Sequence, residues 1–140
     1  ASRSRGMDRS DKPAFGGKKK LLIAEDEAGR RETLLRVFAD AGFQTVSVST
    51  GPEVVEKAIV EKPDVILLKL VMERMNGDAA ASMLNDIPST RSIPIVLYDE
   101  TGSQPRDRVL NEEGPGIRRL VRSLKPEDLL RTVKGVLSMQ

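Results

Sequence analysis

Residues 63–77 read PDVILLKLVMERMNG, and this stretch decides the fold. Val65, Ile66, Leu67 and Leu68 make an unbroken apolar run, the pattern of a strand buried on both faces of a parallel sheet. Lys69 is the strand's single interruption, with Leu70 beyond it. Upstream, Pro63 has no N–H to donate and ends whatever helix precedes it. Downstream, Asn76 and Gly77 supply turn chemistry ahead of another helix.

Working outward, the same alternation recurs on both sides. Leu21, Leu22, Ile23 and Ala24 form a first buried strand that ends in Glu25, Asp26 and Glu27. Leu34, Leu35, Phe38 and Ala41 follow at helical spacing, with Gly42 as a C′ residue suited to the left-handed conformation. Phe43, Thr45, Val46, Ser47 and Val48 predict a second, more polar strand at a sheet edge. Thr50, Gly51 and Pro52 open a helix whose buried face is expected to be Val54, Val55, Ala58 and Ile59.

On the C-terminal side, a helix carries Ala79, Ala80, Met83 and Leu84, and Pro88 leads to a strand over Ile93, Pro94, Ile95, Val96 and Leu97 that ends at Tyr98. A weak helix is expected around residues 104–113, with Val109 and Leu110 as its core contacts. Gly114, Pro115 and Gly116 break it. Ile117, Leu120 and Val121 then make a fifth strand, laced with Arg118, Arg119 and Arg122 and expected at the opposite sheet edge. Pro126 opens a last helix with Leu129, Leu130, Val133, Val136 and Leu137 on its buried stripe.

Five strands alternating with five helices imply right-handed βαβ crossovers and a doubly wound α/β fold, with helices on both faces of a parallel sheet. The apolar first, third and fourth strands belong in the centre, which fits the strand order 2-1-3-4-5. In such a sheet the functional crevice lies at the carboxyl ends of the strands, between the first and third. Glu25, Asp26 and Lys69 arrive there.

The chain has 140 residues, room for one domain, with 39% hydrophobic and 31% charged residues, ordinary for a globular protein. It contains no Cys and no His, which removes disulfides, thiolate metal sites and His-dependent catalytic triads. No apolar run approaches the roughly 20 residues that span a bilayer, so a cytoplasmic location is the default expectation. The net charge of +2 is unevenly spread. Arg3, Arg5, Arg9, Lys12, Lys18, Lys19 and Lys20 face only Asp8 and Asp11 in residues 1–20, so the remainder is net acidic. Residues 1–18 read as a disordered basic tail and residues 19–140 as the domain. Met7 is a candidate natural start, which would make residues 1–6 a vector remnant.

Four segments together resemble the response-regulator receiver family. LLIAEDE at residues 21–27 resembles its opening strand and acidic pair, and residues 63–77 resemble its phosphorylation segment. IPIVL at residues 93–97 and PEDLL at residues 126–130 resemble its fourth strand and last helix. The resemblance runs from about residue 19 to the C-terminus and implies a flavodoxin-like fold. It also implies a pocket in which an acidic pair and an acceptor aspartate hold Mg²⁺. In that pocket a hydroxyl residue and a lysine touch the phosphoryl group, and the last face of the domain binds partners. Glu25 and Asp26 match the acidic pair, and the Val71 carbonyl matches the third protein contact to the metal. Tyr98 stands at the hydroxyl position and Arg122 at the lysine position, each a departure from the usual residue. Glu73 replaces a usual proline, and Lys69 occupies the acceptor position.

That last substitution governs the functional expectation. Phosphoryl transfer needs an anionic oxygen nucleophile beside a metal, and an ammonium is not one. Lys69 is expected to pair with Glu25 or Asp26 in place of a metal, although a lysine at a strand's mouth could also extend its head to solvent. Glu25, Asp26 and Glu27 could equally be an exposed acidic loop, and Tyr98 an ordinary half-buried tyrosine. The expectation is a non-catalytic pseudo-receiver in bacterial signal transduction, without cofactor or metal, acting on a protein partner of unknown identity. Arg106, Arg118 and Arg119 are candidate docking residues, or else charges that keep a sheet edge from aggregating. Homodimerisation stays open. Two alternatives stand beside this: a receiver that still responds to phosphorylation at Asp26 or Asp99 or to a small ligand, and, ranked below it, nucleic-acid binding through the basic tail.

Overall fold

A computed structural model describes residues 17–72, 74–99, 109–111 and 118–139. The strands are β1 (Lys20–Ala24), β2 (Gln44–Val48), β3 (Val65–Lys69), β4 (Ile95–Tyr98), β5 (Val109–Asn111) and β6 (Arg118–Val121). The helices among these residues are α1 (Ala28–Asp40), α2 (Gly51–Glu61), α3 (Gly77–Asp86) and α4 (Pro126–Ser138). The sheet order is β2-β1-β3-β4-β6-β5. Its five parallel strands, β1, β2, β3, β4 and β6, follow the expected 2-1-3-4-5 order and form a flavodoxin-like α/β fold.

Period-two alternation sorts each strand's side chains onto two cores. Leu22, Ala24, Ile66, Leu68, Ile95 and Leu97 pack with α2 and α3. Leu21, Ile23, Val65, Leu67, Val96 and Tyr98 pack with α1 and α4. Most of these side chains are wholly buried, and each Leu, Ile or Val among them contributes roughly 1.5–3 kcal/mol. Burial on both faces explains why the central strands read as continuous apolar runs.

Helix ends follow local chemistry. Glu27 caps α1, its carboxylate accepting from the backbone N–H of Arg30 at 2.6 Å and of Gly29 at 3.2 Å. These two bonds, opposed by a smaller burial effect, hold the Glu27 carboxyl below its ordinary range. Gly42 takes φ +99° just after α1, as its position predicts. Lys62 turns the chain at φ 50° after α2, and Pro63 follows.

Several expectations need correction. Residues 109–111 are not helical: they form β5, antiparallel to β6 with a register shift, and the rest of the expected helix lies outside the described residues. The last parallel strand is therefore not an edge, because β6 lies between β4 and β5. Arg118 is buried at 6% exposure, so it is not part of an exposed docking face. Its guanidinium donates to the Ile93 carbonyl at 2.9 Å and reaches Asn85 Oδ1 at 3.5 Å. Ile59 is exposed and not part of the α2 core face. Residues 1–16, Glu73 and Arg106 lie outside the described residues, as do Gly114, Pro115 and Gly116, where a helix break is expected from sequence.

Candidate functional site

Register alone brings the key residues together. Ala24 pairs with Leu68, so one step further Glu25 is level with Lys69, and Lys69 itself pairs with Tyr98. Alternation then points all three side chains to one face, since Glu25 continues Leu21 and Ile23, Lys69 continues Val65 and Leu67, and Tyr98 continues Val96. They meet at the carboxyl ends of β1, β3 and β4.

The Lys69 ammonium lies 3.2 Å from Glu25 Oε2 and 3.0 Å from Asp26 Oδ1. Pairing is thus the geometry adopted, and Lys69 does not simply extend its head into water. Glu25 has no exposed surface, and its two oxygens are shared among several donors. Oε1 accepts from the Tyr98 hydroxyl at 2.6 Å. Oε2 accepts from the Glu27 N–H at 3.0 Å and lies 3.4 Å from Arg30 Nη1. Arg31 completes the surround by donating to the Glu25 carbonyl at 2.9 Å.

Burial opposes the charged form of Asp26, but hydrogen bonding and attraction from Lys69 prevail and hold its carboxyl below the ordinary value. Burial likewise works against the Lys69 ammonium, yet Asp26 and Glu25 together raise its pKa. Burial, then the charge of Glu25, pushes the Tyr98 hydroxyl upward, so it acts as a neutral donor. Tyr98 is fully buried and neither half-exposed nor surface-facing.

Gly77 shapes the loop beyond Lys69. Its N–H donates to the Leu70 carbonyl at 2.7 Å, and a Cβ there would stand 2.5 Å from the Lys69 carbonyl oxygen. Only glycine lets α3 begin so close to the strand end. Arg122 lies one residue beyond β6 at the same end of the sheet, half-buried, next to Val121, whose carbonyl accepts from the Asp99 N–H at 3.0 Å. Arg119 is half-buried on β6. Arg30 and Arg31 were not singled out from sequence. Their signal is spacing, because the first turn of a helix that starts at a strand's end folds back over that end.

The residues do not fit a divalent cation. Among the described residues no group of three carboxylate, imidazole or thiol side chains could hold a metal ion. Both carboxylates assigned to Mg²⁺ by the resemblance direct an oxygen to the Lys69 ammonium, whose fixed charge repels a second cation. The remaining chemistry is that of a closed ion-pair network.

Residues 21–133 match the response regulator receiver domain, and the chain belongs to that family, the receiver domains of two-component signalling. It is similar to Protein PilH of Pseudomonas aeruginosa, 29% identical over 119 residues, covering 85% of this chain and 98% of PilH. It is also similar to the transcriptional regulatory protein PdtaR of Mycobacterium tuberculosis, 34% identical over 122 residues, covering 86% of this chain but 57% of PdtaR. Among solved structures, the chemotaxis response regulator CheY4 of Vibrio cholerae superposes with a TM-score of 0.70 at 25% identity, covering 85% of this chain and 98% of CheY4. No helix among the described residues is long and apolar enough to cross a membrane.

Proposed function

We propose that this receiver domain is a pseudo-receiver: it does not accept a phosphoryl group and works as a protein-binding module in signal transduction. One observation carries the reading. The acceptor position holds Lys69, and its ammonium bridges Glu25 and Asp26 at 3.2 and 3.0 Å. A tethered cation there supplies the neutralising charge that a metal would bring, but no nucleophilic oxygen. It costs no ion from solution and cannot be removed, so the pocket rests in one state. On this reading the domain is not an enzyme. The side formed by α4 and β6 is offered to a protein partner, with Arg118 serving inside the fold.

The test is labelling with a small-molecule phosphodonor followed by intact-mass measurement. An unmodified chain is expected. A stoichiometric phosphoryl adduct would overturn the reading, and its loss in Asp26→Asn or Asp99→Asn would locate the alternative acceptor.

A further inference from the structure

We infer that the outer edge of β2 is a pairing surface for a second copy of this chain, joined antiparallel about Val46. Among the described residues no strand lies beyond β2. Exposed edges are ordinarily blunted by charge, proline, a bulge or shortness. The opposite edge is blunted, since β5 has three residues and a register shift. β2 has none of these protections: its sequence is QTVSV, and it pairs with β1 without irregularity over all five residues.

The backbone orientation selects the pairing. Gln44 donates to the Lys19 carbonyl at 2.9 Å, and the Val48 carbonyl accepts from Glu25 at 3.2 Å. Gln44, Val46 and Val48 therefore turn their backbone groups toward β1, and the intervening Thr45 and Ser47 turn theirs outward. A two-fold axis at Val46 sets Thr45 opposite Ser47 of the second copy, and Ser47 opposite its Thr45. These are the residues whose outward N–H and C=O groups can exchange two bonds per pair. The two Val46 residues then form the close, non-hydrogen-bonded pair, which covers a side chain left half-buried at the edge.

The surroundings are self-complementary as well. A trough on the α1 side of β2 is lined by Glu32, Leu35, Arg36, Ala39, Thr45 and Ser47. A second, on the α2 side, is lined by Val48, Glu53, Glu56, Lys57 and Val60. Each trough carries both signs of charge. A two-fold arrangement runs the two α1 helices antiparallel, so Glu32 of one copy faces the end of the trough that holds Arg36 of the other. Glu56 and Lys57 meet in the same reciprocal way across the α2 side. An isologous interface requires this kind of self-matching.

The experiment uses the full chain. Sedimentation over a range of concentrations should show a monomer–dimer equilibrium, and Val46→Lys, which opposes two ammonium groups at the axis, should weaken it by about tenfold or more. Arg36→Glu should weaken it too, and Glu32→Arg combined with Arg36→Glu should restore it, a rescue that a folding defect would not give. Amide exchange at Thr45 and Ser47 should slow as concentration rises. A chain that stays monomeric, or a dimer indifferent to Val46→Lys, would overturn the inference. So would exchange at Thr45 and Ser47 independent of concentration: fast exchange would leave the edge to water, and slow exchange would give it to another segment of the same chain.

Discussion

The Tyr98 hydroxyl donates to Glu25 across 2.6 Å, and the oxygen it meets is the one that Lys69 does not touch. The ends of β1, β3 and β4 are thereby tied through one buried carboxylate. Tyr98→Phe removes a donor from that carboxylate and should destabilise the fold by about 1.5–3 kcal/mol, read from urea unfolding. A variant as stable as the parent would show that the bond contributes nothing.

Lys69→Met takes the nearer ammonium from the buried Glu25 carboxylate and leaves it the Arg30 guanidinium at the longer distance of 3.4 Å. A loss of about 3 kcal/mol is expected, the lower end for breaking a buried pair because that second cation remains. Adding Glu25→Gln to Lys69→Met should recover part of the loss, since the uncompensated charge is then gone. A double variant that has lost as much as the two single variants added together, or more, would contradict the pairing.

The pH dependence follows from the two shifted groups. Asp26 is held below its ordinary 3.8, so its contribution is present above that value and is lost as pH falls through the lowered folded value. Lys69 is raised above 10.5, so its contribution is present below that value and is lost as pH rises through the raised folded value. The stability gap between the parent and Lys69→Met should therefore be level between these limits and narrow outside them. Urea midpoints measured across the range check this, and a gap that is flat through both extremes would contradict it.

Arg118→Ala removes a guanidinium that bonds the Ile93 carbonyl inside the sheet. It should cost about 2 kcal/mol in unfolding experiments, through a lost charged hydrogen bond and lost stem packing. A neutral effect on stability would return Arg118 to the surface role suggested by sequence.

Much of this was legible in the sequence because burial on two faces leaves so plain a trace. The runs at residues 21–24 and 65–68 fix two central strands, and once these are parallel neighbours Glu25 and Lys69 must lie near one another. The depth of Tyr98 was not legible, because a tyrosine at a strand's end looks the same whether its ring faces a core or a loop. β5 was missed since Val109, Leu110 and Asn111 are too few to show a period, and their pairing depends on a distant strand. That missing edge strand also made β6 look peripheral, and Arg118 with it. An arginine followed by a second arginine, as Arg118 is by Arg119, reads as exposed unless a buried carbonyl such as that of Ile93 is known to await it.

The most direct measurement is a backbone amide NMR titration of the labelled full chain with Mg²⁺ and then with beryllofluoride, a phosphoryl mimic. The Lys69→Asp variant, which sets a third carboxylate beside Glu25 and Asp26, is followed in parallel. The parent is expected to show no saturable change at Glu25, Asp26, Lys69 or Tyr98, while Lys69→Asp gains a Mg²⁺ response. Saturable shifts in the parent pocket that spread to α4 would contradict a pocket closed by its own lysine, and a Lys69→Asp variant that stays silent would show that something other than Lys69 keeps the metal out.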